Sequence, residues 1–120
     1  MKLYLAVTDP QTDSALEDAL SEVLQSPGAR IALVKRSTPE ATRAAIQTAH
    51  AVFGVWSPED ALAVGELAYA AGQGRPVYIV ALTGTPPWFC SGVGQGGAYA
   101  SPLRAVAAFL RDLTARREAA

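Results

Sequence analysis

The chain has 120 residues, of which half are hydrophobic and 18% are charged, and its formal net charge is −1. This length suits one domain with its own core, and we predict a single domain over residues 1–120. The near-neutral charge excludes the basic surface that nucleic-acid polymers require. No apolar run reaches the ~18 residues of a membrane span, and one Cys with one His leave no transition-metal site. We expect a cytoplasmic protein without a metal or cofactor.

The chain begins with a strand signal followed by a helix signal. Residues 2–7 form an apolar run that stops at Thr8-Asp9-Pro10, which predicts a first strand. Ser14 and Glu17 have the spacing of a capping box, which predicts that the first helix begins there. Residues 26–28, Ser-Pro-Gly, predict its end.

The middle of the chain repeats this alternation. Residues 31–34 predict a short second strand. Thr38-Pro39-Glu40 combines a cap, a first-turn proline and an acid that favours a helix start, and we expect this second helix to run to about Ala49. Residues 51–56 then form a continuous apolar run, which is typical of a strand covered on both faces of a sheet.

The last third of the chain predicts two helices and a fourth strand. Asp60 predicts the cap of a third helix, which residues 72–74 (Gly-Gln-Gly) close. A fourth strand is predicted over 77–82, followed by a long loop over 83–100. Within that loop we expect a fifth short strand over 88–93. Ser101-Pro102 then opens the final helix.

Strands interleaved with helices predict an α/β fold with right-handed crossovers. We expect a small doubly wound, flavodoxin-like or Rossmann-like three-layer sandwich with a mostly parallel sheet of four to five strands. By analogy with flavodoxin-like sheets, we expect the strand order 2-1-3-4. The loops after the strands then share one edge of the sheet, where open α/β sheets bind their ligands.

Glu66 stands out near this edge. Helical spacing places it on one face with Leu62, Tyr69 and Ala70. An acid within an apolar stripe is costly unless it is paired or used in chemistry. A carboxylate at this position can attack the anomeric carbon of a sugar as a nucleophile. The structural alternative is a helix acid that pairs with Arg75 or with another surface base.

Further candidate contacts to a substrate surround Glu66 in the predicted fold, and each also has a structural interpretation. An acid at a helix start is a favoured cap, an acid before proline forms turns, and tyrosines pack in cores or interfaces. The candidates are Asp60, Tyr4, Asp9, Ser57 and Tyr69.

Two segments resemble the nucleoside 2-deoxyribosyltransferases. Tyr4-Leu-Ala resembles the opening strand of that family, and residues 53–77 resemble its segment in which an acid precedes a Glu by six residues before a Gly-Lys-Pro-Val turn. The resemblance implies transfer or hydrolysis of the N-glycosidic bond of a nucleoside or nucleotide. It further implies that Glu66 is the nucleophile, that Asp60 holds the 5′ side of the sugar, and that the protein is a homo-oligomer.

The chain also departs from this family. Residues 7–10 read Val-Thr-Asp-Pro where the family has a Gly-Pro loop, and residues 61–63 read Ala-Leu-Ala in place of a common Ser-Gly-Thr. Three alternatives therefore stay open. They are a catalytically silent nucleotide-binding or sensing module of the same fold, an NAD-cleaving variant, and an oligomeric scaffold with Trp88 and Phe89 as contact anchors.

Overall fold

A computed structural model of the protein describes residues 1–7, 10–24, 31–82, 84–91 and 96–119. Five strands form one sheet in the order β2-β1-β3-β4-β5, and all neighbouring strands are parallel. The strands are β1 Lys2–Ala6, β2 Ala32–Lys35, β3 Ala51–Val55, β4 Val77–Val80 and β5 Gly96–Tyr99. The helices are α1 Pro10–Leu24, α2 Pro39–Thr48, α3 Ala61–Gly72, α4 Trp88–Ser91 and α5 Pro102–Ala119. The predicted α/β fold and the order 2-1-3-4 are confirmed, with β5 added beside β4.

The two faces of the sheet are covered by different helices, which makes three layers. Leu3 and Leu5 of β1 lie in a buried cluster with residues of α1 and α5. Tyr4 and Ala6 lie in a second buried cluster with residues of α2, α3 and α4. This division follows from the alternation of side chains along a strand. Tyr4 therefore projects onto the face of the sheet that carries Glu66.

Three predicted elements differ from the structure. Helix α1 begins at Pro10 rather than at the Ser14 capping box, because proline fits the first turn of a helix without losing a hydrogen bond. The fifth strand predicted over 88–93 is wrong, since residues 88–91 form the short helix α4. The predicted loop over 83–100 contains β5 instead, and its Gly96 and Gly97 have the low strand propensity that conceals such an element in a sequence.

The helices around the candidate site begin and end where the sequence predicts. Thr38 Oγ1 accepts a hydrogen bond from the Ala41 amide at 3.2 Å, and Asp60 Oδ1 accepts one from the Ala63 amide at 3.1 Å. Gln73 caps the end of α3. A Cβ atom on Gly54 of β3 would lie only 2.5 Å from Leu67 Cδ2, so this glycine allows α3 to pack closely on the sheet.

No helix within the described ranges is long and apolar enough to cross a bilayer. Large hydrophobic side chains are exposed on several elements, and Trp88 and Phe89 lie side by side on α4. Trp88 of α4 is 84% exposed and Leu62 of α3 is 62% exposed.

Candidate functional site

Glu66 lies in the second turn of α3 at the border between the buried and the exposed side of that helix. Ala63, Leu67 and Ala70 form the buried side, whereas Leu62 is exposed. Leu62 and Glu66 do line one groove, as a shared helix side predicts, but Leu62 is exposed and does not belong to a buried apolar stripe. The Glu66 side chain is nevertheless only 12% exposed, because it turns toward β1 and the end of β2. A partly buried carboxylate at this place needs partners.

A residue of β1 and a residue directly after β2 supply those partners. The Tyr4 hydroxyl donates a hydrogen bond to Glu66 Oε2 at 2.7 Å. Arg36 Nε donates to the same Oε2 at 2.9 Å, and Arg36 Nη2 donates to Oε1 at 2.6 Å. The guanidinium thus binds the carboxylate through two hydrogen bonds, the geometry in which arginine binds carboxylates most strongly. The structural alternative, an ion pair between Glu66 and a basic side chain, is present, but the basic residue is Arg36. Arg75 instead donates to the Ala49 carbonyl at 3.4 Å.

The two oxygens of Glu66 are not equivalent. A carboxylate offers about four lone-pair positions, two on each oxygen. Oε2 accepts from both Tyr4 and Arg36, whereas Oε1 accepts from Arg36 alone among the contacts of the described residues. Oε1 therefore has the capacity for a further contact.

Tyr4 is suited to remain a hydrogen-bond donor. Its side chain is fully buried, and burial raises its pKa well above the usual range. The hydrogen bond to Glu66 raises that pKa further, because an anionic phenolate beside a carboxylate is unfavourable. The phenol thus stays protonated at neutral pH and fixes the orientation of Oε2.

Arg36 reaches Glu66 from the short connection between β2 and α2. That connection is anchored by the Ser37 amide, which donates to Thr42 Oγ1 at 2.9 Å. The hydrogen bond with Glu66 raises the pKa of Arg36, and the Asp60 carboxylate nearby contributes in the same direction. The predicted strand order could have pointed to this partner. Because β2 lies next to β1, a basic residue directly after β2 lies near the end of β1, on the edge of the sheet where α/β proteins bind their ligands.

A groove between α2 and α3 passes Glu66. Its volume is about 350 Å³, within the range of roughly 300–1,000 Å³ that small-molecule sites occupy. Aliphatic side chains and a glycine form much of its walls, and Arg43, Glu66 and Tyr69 supply polar groups. The lining residues are Pro39, Thr42, Arg43, Ile46, Ala61, Leu62, Gly65, Glu66 and Tyr69.

The other predicted site residues have varied positions. Tyr69 lines the groove, where its hydroxyl accepts a hydrogen bond from Gln47 Nε2 at 2.6 Å. Asp60 caps α3 and acts electrostatically on Arg36. Ser57 Oγ accepts from the Glu59 amide at 3.4 Å within its own turn. Asp9 lies outside the described residues. The structure thus brings Tyr4, Tyr69 and Asp60 to the surroundings of Glu66.

Comparison with known proteins identifies the fold. No protein-family model matches the sequence. No curated protein matches it either. Among solved structures, the chain is similar to a 2-deoxyribosyltransferase from the psychrotolerant bacterium Bacillus psychrosaccharolyticus, with a TM-score of 0.52 and 17% sequence identity. The match covers 70% of this chain and 74% of that one. At this identity the likeness establishes a shared α/β fold.

Proposed function

We propose that this protein transfers or hydrolyses the N-glycosidic bond of a nucleoside or nucleotide, with Glu66 as the nucleophile. The observation that carries the proposal is that Glu66 lines a ligand-sized groove while a buried phenol orients its carboxylate. The similar solved structure, a 2-deoxyribosyltransferase, supports the same chemistry. The resemblance of residues 53–77 to that family adds support from the sequence.

The first step forms a bond between Glu66 Oε1 and the anomeric carbon of the sugar and breaks the bond from that carbon to the base. The electron pair of the broken bond leaves with the base, which takes a proton from solvent. Oε2 becomes the carbonyl oxygen of the resulting ester and keeps its hydrogen bond from Tyr4. A positioned carboxylate is a competent nucleophile here because the transition state resembles an oxocarbenium ion.

The second step releases Glu66. Water, or the ring nitrogen of another base, forms a bond to the anomeric carbon while the bond to Oε1 breaks. The electron pair returns to the carboxylate, and the proton that the attacking water or the attacking base loses passes to solvent. Arg36, whose Nη2 lies 2.6 Å from Oε1 in the resting protein, moves aside in the first step and stabilises the departing carboxylate in the second.

The test measures base release by chromatography over a panel of nucleosides, their 5′-monophosphates and NAD. We expect Glu66→Gln to lower the turnover rate by more than about a thousandfold, as loss of a nucleophile does. Asp18→Asn is the matched control, because Asp18 is an exposed acid of α1 on the opposite face of the sheet. Full activity of the Glu66→Gln variant would exclude the assignment of the nucleophile.

The ion pair itself favours a second candidate, a catalytically silent nucleotide-binding module. Arg36 occupies both oxygens of Glu66, as a purely structural pair would. Such a module gains thermal stability with a nucleoside or nucleotide but releases no base from any member of the panel. Thermal shift measured beside the chromatography therefore separates the two functions.

A further inference from the structure

Gly65 is a glycine that the packing of this chain does not require. It lies in the interior of α3, where glycine is less favourable than alanine. A Cβ atom placed on Gly65 would meet nothing within 4 Å. Gly54 shows the opposite case, because Leu67 leaves no room for a side chain there. Within the described structure, Gly65 thus creates open space without filling a packing role.

That open space belongs to the groove. Gly65 is one of its lining residues and directly precedes Glu66 in α3. Removing a side chain from a helix lets a ligand approach the helix backbone. A substrate that enters the groove to react at Glu66 can therefore contact the backbone of α3 at Gly65.

We propose that the planar base of the nucleoside lies flat against α3 at Gly65, with its sugar at Glu66. This inference rests on the proposed function and assigns the groove between α2 and α3 as the base subsite. A flat ring is the part of a nucleoside that gains most from close approach to a surface without side chains. Ile46 of α2 and Leu62 of α3 provide aliphatic surface for its faces.

The polar residues of the groove suit the edge and the face of such a ring. The Tyr69 hydroxyl is already oriented by its hydrogen bond from Gln47. Arg43 is exposed and lines the groove from α2, and a guanidinium stacks on aromatic rings. Thr42 is held by the Ser37 amide and is a further lining residue. The groove thus offers aliphatic walls with few polar groups, the usual character of a small-molecule site.

The experiment compares Gly65→Ala with Gly72→Ala. Gly72 lies in the same helix, is exposed, has no atom within 4 Å of an added Cβ, and does not line the groove. Adenine and cytosine are titrated as free bases by calorimetry. We expect Gly65→Ala to raise the melting temperature of the unliganded protein by about 4 °C. We expect the same variant to weaken the binding of at least one base by about tenfold or more, while Gly72→Ala binds like the wild type.

Wild-type affinity of the Gly65→Ala variant for both bases would overturn the base subsite, as would a wild-type protein that binds neither base. A change in the molar mass of Gly65→Ala by light scattering, with base affinity unchanged, would also overturn it and would assign the groove to a second copy of the chain. The test of the subsite is separate from the test of catalysis. If base binding depends on Gly65 but no base is released from any nucleoside, the subsite is supported and the enzymatic function is rejected. If base release depends on Glu66 but not on Gly65, the enzymatic function is supported and the subsite is rejected.

Discussion

Arg36 has opposite effects on the two steps of the proposed reaction. By donating to Oε1 it withdraws negative charge from the attacking oxygen, which slows the first step. By stabilising the carboxylate as it departs, it speeds the second step. In the proposed reaction, Arg36 therefore favours the free enzyme over the glycosyl-enzyme.

We expect Arg36→Gln to raise the ratio of the first rate constant to the second by at least about tenfold, which corresponds to about 1.4 kcal/mol. The covalent intermediate should then accumulate. Rapid-quench measurement of base release should show a burst, and the intact mass should increase by one glycosyl group. Arg36→Lys is the control, because it keeps the charge but loses the two-bond geometry.

A structural role for Arg36 predicts a different result. Removing a partner from a largely buried carboxylate costs about 1–3 kcal/mol of folding free energy, and Glu66 is only 12% exposed. If Arg36→Gln lowers stability and slows both steps equally, without a burst, the pair only maintains the fold of the site. Chemical denaturation of the variant supplies the stability measurement.

Helix α3 is the element that positions Glu66 at the candidate site. Its start is fixed by Asp60, its end by Gln73, and its distance from the sheet by Gly54. These three features set the height at which Glu66 meets Tyr4 of β1. Of these residues, Asp60 also has a proposed role in substrate binding.

Two substitutions separate these roles of Asp60. Asp60→Ala removes the cap, and we expect it to lower the free energy of unfolding by about 1 kcal/mol. Asp60→Asn keeps the cap, since asparagine caps as well as aspartate, and we expect it to retain wild-type stability. If Asp60 also binds the sugar, Asp60→Asn raises KM by about tenfold, as loss of a charged hydrogen bond does. An unchanged KM would leave Asp60 with the capping role alone.

The whole molecule should lose stability in alkali because of two buried tyrosines on opposite faces of the sheet. Burial and a hydrogen bond to a carboxylate raise the pKa of Tyr4 beside Glu66, and the same causes raise the pKa of Tyr78 beside Asp112. An unfolded tyrosine loses its proton near pH 10. Above that pH the unfolded state binds fewer protons than the native state, so stability falls as pH rises.

We expect the free energy of unfolding to fall above about pH 10 by about 1.4 kcal/mol per pH unit for each of the two tyrosines. Denaturation at several pH values should show this slope. Tyr4→Phe and Tyr78→Phe should each remove about half of it, and the double variant should remove most of it. An unchanged slope in the double variant would assign the alkaline loss to other groups.

The resemblance to nucleoside 2-deoxyribosyltransferases also predicts a homo-oligomer. That assembly stays a prediction, as do the single domain over residues 1–120 and the cytoplasmic location that length and composition indicate. Trp88 and Phe89, which pack edge to face on each other while both remain exposed, are the candidate anchors of a subunit contact.

Local pattern was sufficient for four of the five strands and for the helix starts at Thr38 and Asp60, whereas the strand order came from analogy with flavodoxin-like sheets. Buried parallel strands require continuous apolar runs, and helix starts require capping groups, so both leave signals within a few neighbouring residues. That is why β1 to β4, the caps at Thr38 and Asp60, and the identity of Glu66 as an unusual acid could be predicted. Element β5 was missed because its glycines have low strand propensity. Gly96 pairs with Val77 of β4 where an added side chain would have no room, and no local pattern records that pairing.

The partners of Glu66 were decided by the tertiary structure alone. Tyr4 and Arg36 are separated from Glu66 by 62 and 30 positions, and the side that Leu62 faces depends on how α3 rotates against the sheet. Such contacts depend on how whole helices and strands pack, and a shift of one helix or strand by one residue would change all the neighbours of its side chains. The sequence could thus identify the acid, but only the fold could select the guanidinium that binds it.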